Sequence, residues 1–144
     1  MSTEENKAIA RRWFEESGNR HNVAIVDELF TPDYVNHALG AAPGGGREAE
    51  KHLIEGMLTA FPDMRFTIED MVAEGDKVVV RYTIQGTHQG AFMGLPATGK
   101  AFTTTAIVIL RFENGKIAEE WFQGDDLGMM QQLGVIPAAG QTPS

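Results

Sequence analysis

Cysteine is absent from the 144 residues, which removes disulfides, thiolate nucleophiles, Cys-ligated zinc and iron–sulfur clusters from the chemistry open to this chain. Basic residues are scarce too. Twelve Lys and Arg stand against 20 Asp and Glu, giving a net charge of −8, and no basic run occurs. Nucleic-acid binding needs clustered cations against phosphate, so no nucleic-acid partner is expected. No apolar run approaches the ~20 residues that span a bilayer. The N-terminus, Met-Ser-Thr-Glu-Glu-Asn, is polar and acidic where a signal peptide is basic and then apolar. A soluble, cytoplasmic protein without a membrane partner is the expectation. Metal motifs such as H-E-x-x-H are missing, so no metal is expected. Gly44-Gly45-Gly46-Arg47 lacks both the preceding strand and the Lys-Ser/Thr of a phosphate loop.

What remains is an ordinary globular composition, 42% hydrophobic and 22% charged, in a chain the size of one domain. Ser2-Thr3-Glu4-Glu5 reads as a capping box. Behind it Ala10, Trp13, Phe14 and Ser17 fall at helical spacing, with Gly18-Asn19 as a stop. A second short helix is expected from Asn22 to Phe30, then an extended piece over Tyr34 to His37 and a glycine-rich loop from Gly40 to Gly46. A third helix runs from Arg47 to Phe61, its apolar face carrying Leu53, Ile54, Met57, Leu58 and Phe61. From Met64 the period switches to two, over Met64–Ala73, Asp76–Gln89, Lys100–Phe112 and Lys116–Gln123. A short amphipathic helix, Leu127 to Leu133, follows. The domain is expected to cover residues 1–136, with a flexible tail over 137–144.

The order of helices before long strands gives an α+β class: a strongly curved antiparallel sheet with three helices packed on one face, a barrel-like cone. Bending such long strands in so small a domain opens a cavity between sheet and helices. Asn114-Gly115, set between β-branched and aromatic runs, is a strong hairpin signal. A plain two-residue turn would pair Val108 with Trp121. A one-residue bulge would pair Val108 with Phe122 and aim Glu120 inward. Both registers are open at this point.

The segments Phe30-Thr-Pro-Asp-Tyr-Val-Asn-His37, Gly86-Thr-His-Gln-Gly-Ala-Phe-Met-Gly-Leu-Pro-Ala-Thr-Gly99 and Gly115-Lys-Ile through Gln132-Leu-Gly134 resemble the SnoaL-like polyketide cyclase or ester cyclase family, within the nuclear-transport-factor-like cone fold. The resemblance covers nearly the whole domain. It implies ring closure by aldol chemistry without metal or organic cofactor, with a carboxylate on the last strand as acid/base and a histidine on the strand before it. Those two positions fall on Phe122 and Val108, neither of which can move a proton, so the aldol activity is not carried across. The resemblance also implies a homodimer.

Other residues must then carry any chemistry. Asp125, four residues past Trp121, is one candidate acid/base, since a carboxylate half-buried beside an indole has its pKa raised. One of Asp125 and Asp126 is equally expected to cap the helix at Leu127. His37 is the candidate counterpart, able to move protons near neutrality, and Glu120 is the reserve carboxylate. Tyr34, Met57, Phe61, His88, Trp121 and Phe122 are the expected substrate-binding walls. The function expected is cofactor-independent acid/base catalysis, of isomerase, dehydratase or cyclase type, on a small apolar carbonyl or polyketide-like molecule. The alternatives are a non-catalytic dimeric binding module and a cofactorless hydroxylase.

Overall fold

Burial alternates along the central strands, and this decides which face of the sheet carries the core. A computed structural model of the chain describes residues 2–38 and 46–137. Most of the glycine-rich loop expected over Gly40 to Gly46, and the tail beyond Pro137, lie outside the described residues. The strands are β1 (Phe30–Asn36), β2 (Arg65–Glu74), β3 (Lys77–Thr87), β4 (Ala101–Glu113) and β5 (Lys116–Gly124). β4 buries its even-numbered residues from Phe102 to Phe112, and β3 does the same from Val78 to Gly86. Their odd-numbered partners face out, as a sheet covered on one side requires.

The strand order is β1-β5-β4-β3-β2, in an open sheet. The four long strands expected from the period-two pattern pair antiparallel with one another, and β1 joins their edge parallel to β5. Residue Pro32 explains why β1 pairs only at its ends. Proline has no N–H to give a ladder and is confined to edges and bulges, and the register breaks between Phe30↔Ile117 and Val35↔Glu119.

α1 (Thr3–Trp13) begins at the expected capping box, with Glu5 N–H donating to Ser2 Oγ at 3.1 Å and Ser2 N–H to Glu5 Oε1 at 3.3 Å. The α-helix gives way at Phe14 to a wider π-helical turn over Phe14–Asn19, which ends at the expected Gly18-Asn19 stop. Glycine is needed there for contact, because a Cβ would lie 2.1 Å from the Phe66 ring. The second helix is shorter than expected. A 3₁₀ turn over Val23–Ile25 leads into α2 (Val26–Leu29), and Phe30 already belongs to β1. α3 spans Gly46–Ala60, and α4 spans Asp126–Gln132. Arg47, in the first turn of α3, donates through Nε and Nη2 to the Phe30 carbonyl at 3.0 and 2.5 Å and ties that helix to β1.

Edge-to-face aromatic contacts link these layers. Trp13 meets Phe30 at 4.6 Å between centroids, Phe30 meets Tyr34 at 4.5 Å, and Phe14 meets Tyr82 at 4.6 Å. Such pairs contribute about 0.5–1.5 kcal/mol each beyond area burial, and they lock Tyr34 from behind. Among the described residues no helix is long and apolar enough to cross a membrane.

The far end of α3 is closed by the β3–β4 connection, where Gln89 and Gly90 N–H both donate to the Ala60 carbonyl at 2.9 and 3.1 Å. A Cβ at Gly90 would stand 2.3 Å from the backbone oxygen of Thr59. Gly90→Ala should therefore destabilise the fold by about 1–3 kcal/mol, the range for forced overpacking, read from urea unfolding. An unchanged midpoint would contradict this contact.

Candidate active site

One extra residue in β5 places the site. Asn114 and Gly115 both have positive φ, 49° and 77°, as a two-residue hairpin turn requires. The ladder then runs Glu113↔Lys116 and Phe112↔Ile117 but jumps to Arg111↔Glu119, leaving Ala118 as a bulge. Ile117 and Ala118 are consecutive yet both buried. Beyond the bulge Leu110 pairs with Glu120 and Val108 with Phe122. Glu120 and Phe122 thus share the inner face with Leu110 and Val108, and Trp121 shares the outer face with Ile109.

β1 and α3 bring partners to Glu120. Asn36 sits directly opposite it in the parallel ladder, and alternation puts Tyr34 on the same side. The Tyr34 hydroxyl donates to Glu120 Oε2. The amide Nδ2 of Asn36 lies 3.4 Å from the same oxygen and 3.0 Å from Glu50 Oε2. Asn36 Oδ1 accepts the Ala38 N–H at 2.7 Å, which leaves the NH₂ end for the two carboxyls. Glu50 is only 5% exposed on α3, and Tyr82 on β3 is buried alongside.

Burial dominates the electrostatics. Glu120 is pushed up to about 8, first by removal from water and then by the neighbouring Glu50, against a smaller pull downward from the Tyr34 hydroxyl. Desolvation also raises Glu50, opposed by its bonds from Asn36 and Tyr34. Tyr34 and Tyr82 are both raised by burial and then by the nearby carboxylates, so each stays a neutral donor. Among the described residues no ion pair reaches either carboxyl. A carboxyl kept neutral near pH 7 can donate a hydrogen bond or a proton.

The other expected site residues are spread more widely. Asp125 is exposed and caps α4, its Oδ1 accepting Gly128 N–H at 2.8 Å. It borders a shallow groove of about 370 Å³ with Arg81, Thr105, Ile107 and Gln123 on the outer face, away from the carboxyl pair. His37 also lies outside. It stacks on Trp121 at 5.2 Å and 10°, and its Nε2 is 2.6 Å from Glu119, which Arg111 Nε holds at 2.8 Å on the other side. Those two partners, Arg111 first, keep the Glu119 carboxyl below its usual value. The structure brings together Tyr34 and Glu120, with Phe122 on the same inner face. Met57 packs half-buried against the core, on the stripe of α3 that carries Glu50. Phe61 is fully buried at the other end, against Phe92, Phe102 and the buried His88, whose Nδ1 accepts Thr98 N–H at 3.3 Å. Sequence reasoning missed Glu50 and Asn36. Glu50 stands four residues before Ile54 and seven before Met57, a carboxyl on an apolar stripe, and that placement was its signal.

Among the described residues no group of three His, Asp or Glu side chains is placed to hold a metal ion. The fold and the buried acid group define a cone-fold domain with a polar cluster inside. The family model for SnoaL-like polyketide cyclases matches residues 8–133, and the chain belongs to that family. It is 30% identical over 111 residues to the nogalonic acid methyl ester cyclase of Streptomyces nogalater, covering 76% of this chain and 83% of that one. It is 37% identical over 60 residues to the aklanonic acid methyl ester cyclase of Streptomyces peucetius, covering 42% of this chain and 41% of that one. TsrD of Streptomyces laurentii superposes with a TM-score of 0.85 at 27% identity, over 94% of this chain and 99% of its own.

Two measurements follow from this geometry. Glu120 titrates from 4.5 when exposed to about 8 in the fold, so within that window the native state binds the extra proton and stability falls as pH rises. The loss is absent below the lower value and complete above the upper one. Glu120→Gln removes it, so the variant's urea midpoint should gain on the wild type from pH 5 to about 8. Parallel curves would contradict the buried, raised carboxyl. Separately, Asp125→Ala should cost the ~1 kcal/mol of a lost helix cap, and an unchanged midpoint would show that the bond to Gly128 carries no stability.

Proposed function

We propose that the protein is a cofactor-independent acid/base enzyme that isomerises or closes a ring in a small, largely apolar carbonyl compound, with Glu120 as the proton-handling group. The observation that supports this most is a carboxyl on the inner face of the last strand, held neutral near pH 7 and hydrogen-bonded to Tyr34. A neutral carboxyl gives its proton to a carbonyl oxygen, and the carboxylate it leaves accepts the proton that the adjacent carbon loses; the reverse transfers occur when the enol collapses. Phe122 and Met57 offer apolar contact for the rest of the molecule. Chemistry of this kind fits the family, although by the resemblance Val108 and Phe122 fall where its cyclases would have histidine and carboxylate. Asp125, exposed and occupied as a cap, has no part in this proposal.

Nogalonic and aklanonic acid methyl esters are the probes to try first, because the names of the relatives carry them. Turnover by the wild type, followed by chromatography of the products, should fall about 100-fold or more in Glu120→Gln, with the variant still folded. Retained turnover would remove Glu120 from the reaction. Binding of either ester without turnover would leave the chain a ligand-binding member of the family.

A homodimer through the outer face of the sheet belongs to the same proposal. Val72 is 56% exposed and Ile107 47% exposed, with Val79, Ile109 and Trp121 beside them, an apolar surface that a second copy would cover. Arg81 and Asp125 at its edge offer charges of both signs, as a two-fold contact between identical surfaces uses. Light scattering should give twice the chain mass at micromolar concentration, and Ile107→Arg should give a monomer. A wild-type monomer would reject it.

A further inference from the structure

The reading of Glu120 leaves unexplained why a second carboxyl, that of Glu50, is buried almost against it. We propose that Glu50 and Glu120 work as one carboxyl pair carrying a single proton, with Glu120 the member that meets substrate and Glu50 the positioning residue behind it. This rests on the acid/base reading of the site.

The geometry carries the argument. One amide nitrogen, Asn36 Nδ2, reaches both carboxyls, at 3.0 Å to Glu50 and 3.4 Å to Glu120. Its orientation is fixed from the other end by Ala38 N–H at 2.7 Å to Oδ1. Among the described residues, the other titratable groups beside the pair are Tyr34 from β1 and Tyr82 from β3, both kept neutral by burial, while the exposed Asp126 of α4 acts on Tyr82. With no cation among the described residues to compensate, two anions this close and largely out of water are unfavourable, and one proton stays. Glu50 is the more deeply buried member and Glu120 keeps part of its surface accessible, which assigns their roles.

A pair with one proton supplies an acid and a base together, as a ketone-to-enol shift needs. The C–H bond beside the carbonyl breaks and its electron pair forms the C=C bond. The carbonyl π pair moves to oxygen, which takes the proton from Glu120. The carbon's proton passes to the other oxygen of the Glu120 carboxyl as that one leaves, with Glu50 unprotonated behind it throughout, so the pair ends with one proton again and nothing is oxidised or reduced.

The test needs no substrate, so its failure and the failure of the catalytic reading can be told apart. Protein labelled with ¹³C at the glutamate carboxyl carbon is titrated by NMR as wild type, Glu50→Gln and Glu50→Asp, with Glu120→Gln identifying the Glu120 signal. In the wild type one member of the pair should stay protonated until near pH 8. In Glu50→Gln the Glu120 midpoint should drop by about one pH unit or more, because the charge is gone while burial remains. Glu50→Asp should restore it. A Glu120 midpoint unmoved in Glu50→Gln would overturn the proposal and leave Glu50 a packing residue. If Glu50→Gln does not fold, the wild-type count decides: one pair carboxyl protonated at neutral pH supports the proposal, and none or both overturns it.

Discussion

The inserted residue Ala118 sets the phase of the last strand, and the interior depends on that phase. Without it the two-residue turn at Asn114-Gly115 would put Trp121 opposite Val108, on the buried face. With it, Glu120 and Phe122 turn inward, and Glu119 and Trp121 turn out. A slip of one residue exchanges the faces of a strand completely. Here that exchange separates a half-buried inner carboxyl from one salt-bridged on the outer face. β1 confirms the phase from the other side, because Asn36 meets Glu120 in the parallel ladder and the Tyr34 hydroxyl reaches the same carboxyl.

Two adjacent glutamates therefore have opposite electrostatics. Glu119 lies between Arg111 and His37 in water and is held ionised. Glu120 has a phenol, an amide and another carboxyl for company and, among the described residues, no cation. Ionising it costs solvation that the Tyr34 hydroxyl returns only in part, so the carboxyl is kept at a cost in stability near neutral pH. Groups that are costly to bury and unneeded for packing concentrate at functional sites. The proposed function therefore rests on this cluster more than on the family resemblance, since the fold alone hosts many chemistries.

Much of the architecture was legible in advance. The Ser2 capping box, the apolar stripe of α3 and the four period-two runs each follow from local rules, and each is present. The Asn114-Gly115 turn was legible too, but a turn specifies the register only up to the next bulge, and nothing local to Ala118 distinguishes it from its neighbours. β1 was harder, because Pro32 interrupts it and its partner β5 lies some eighty residues away. The site was legible in part. Glu120 and Tyr34 are among the residues the sequence singles out, whereas Asp125, read as a carboxylate half-buried beside Trp121, and His37, read as its counterpart, lie at a cap and on the outer face. Glu50 was passed over because reading α3 for apolar residues hides a carboxyl that shares their stripe.

The proposed function requires that substrate meet Glu120. The most direct measurement is a crystal structure of the protein with a bound aromatic keto-ester. An oxygen of that ligand should lie within hydrogen-bond distance of the Glu120 carboxyl, with its ring system against Phe122. A ligand seated instead on the outer face, beside Asp125 or the His37–Trp121 stack, with nothing near Glu120, would contradict it.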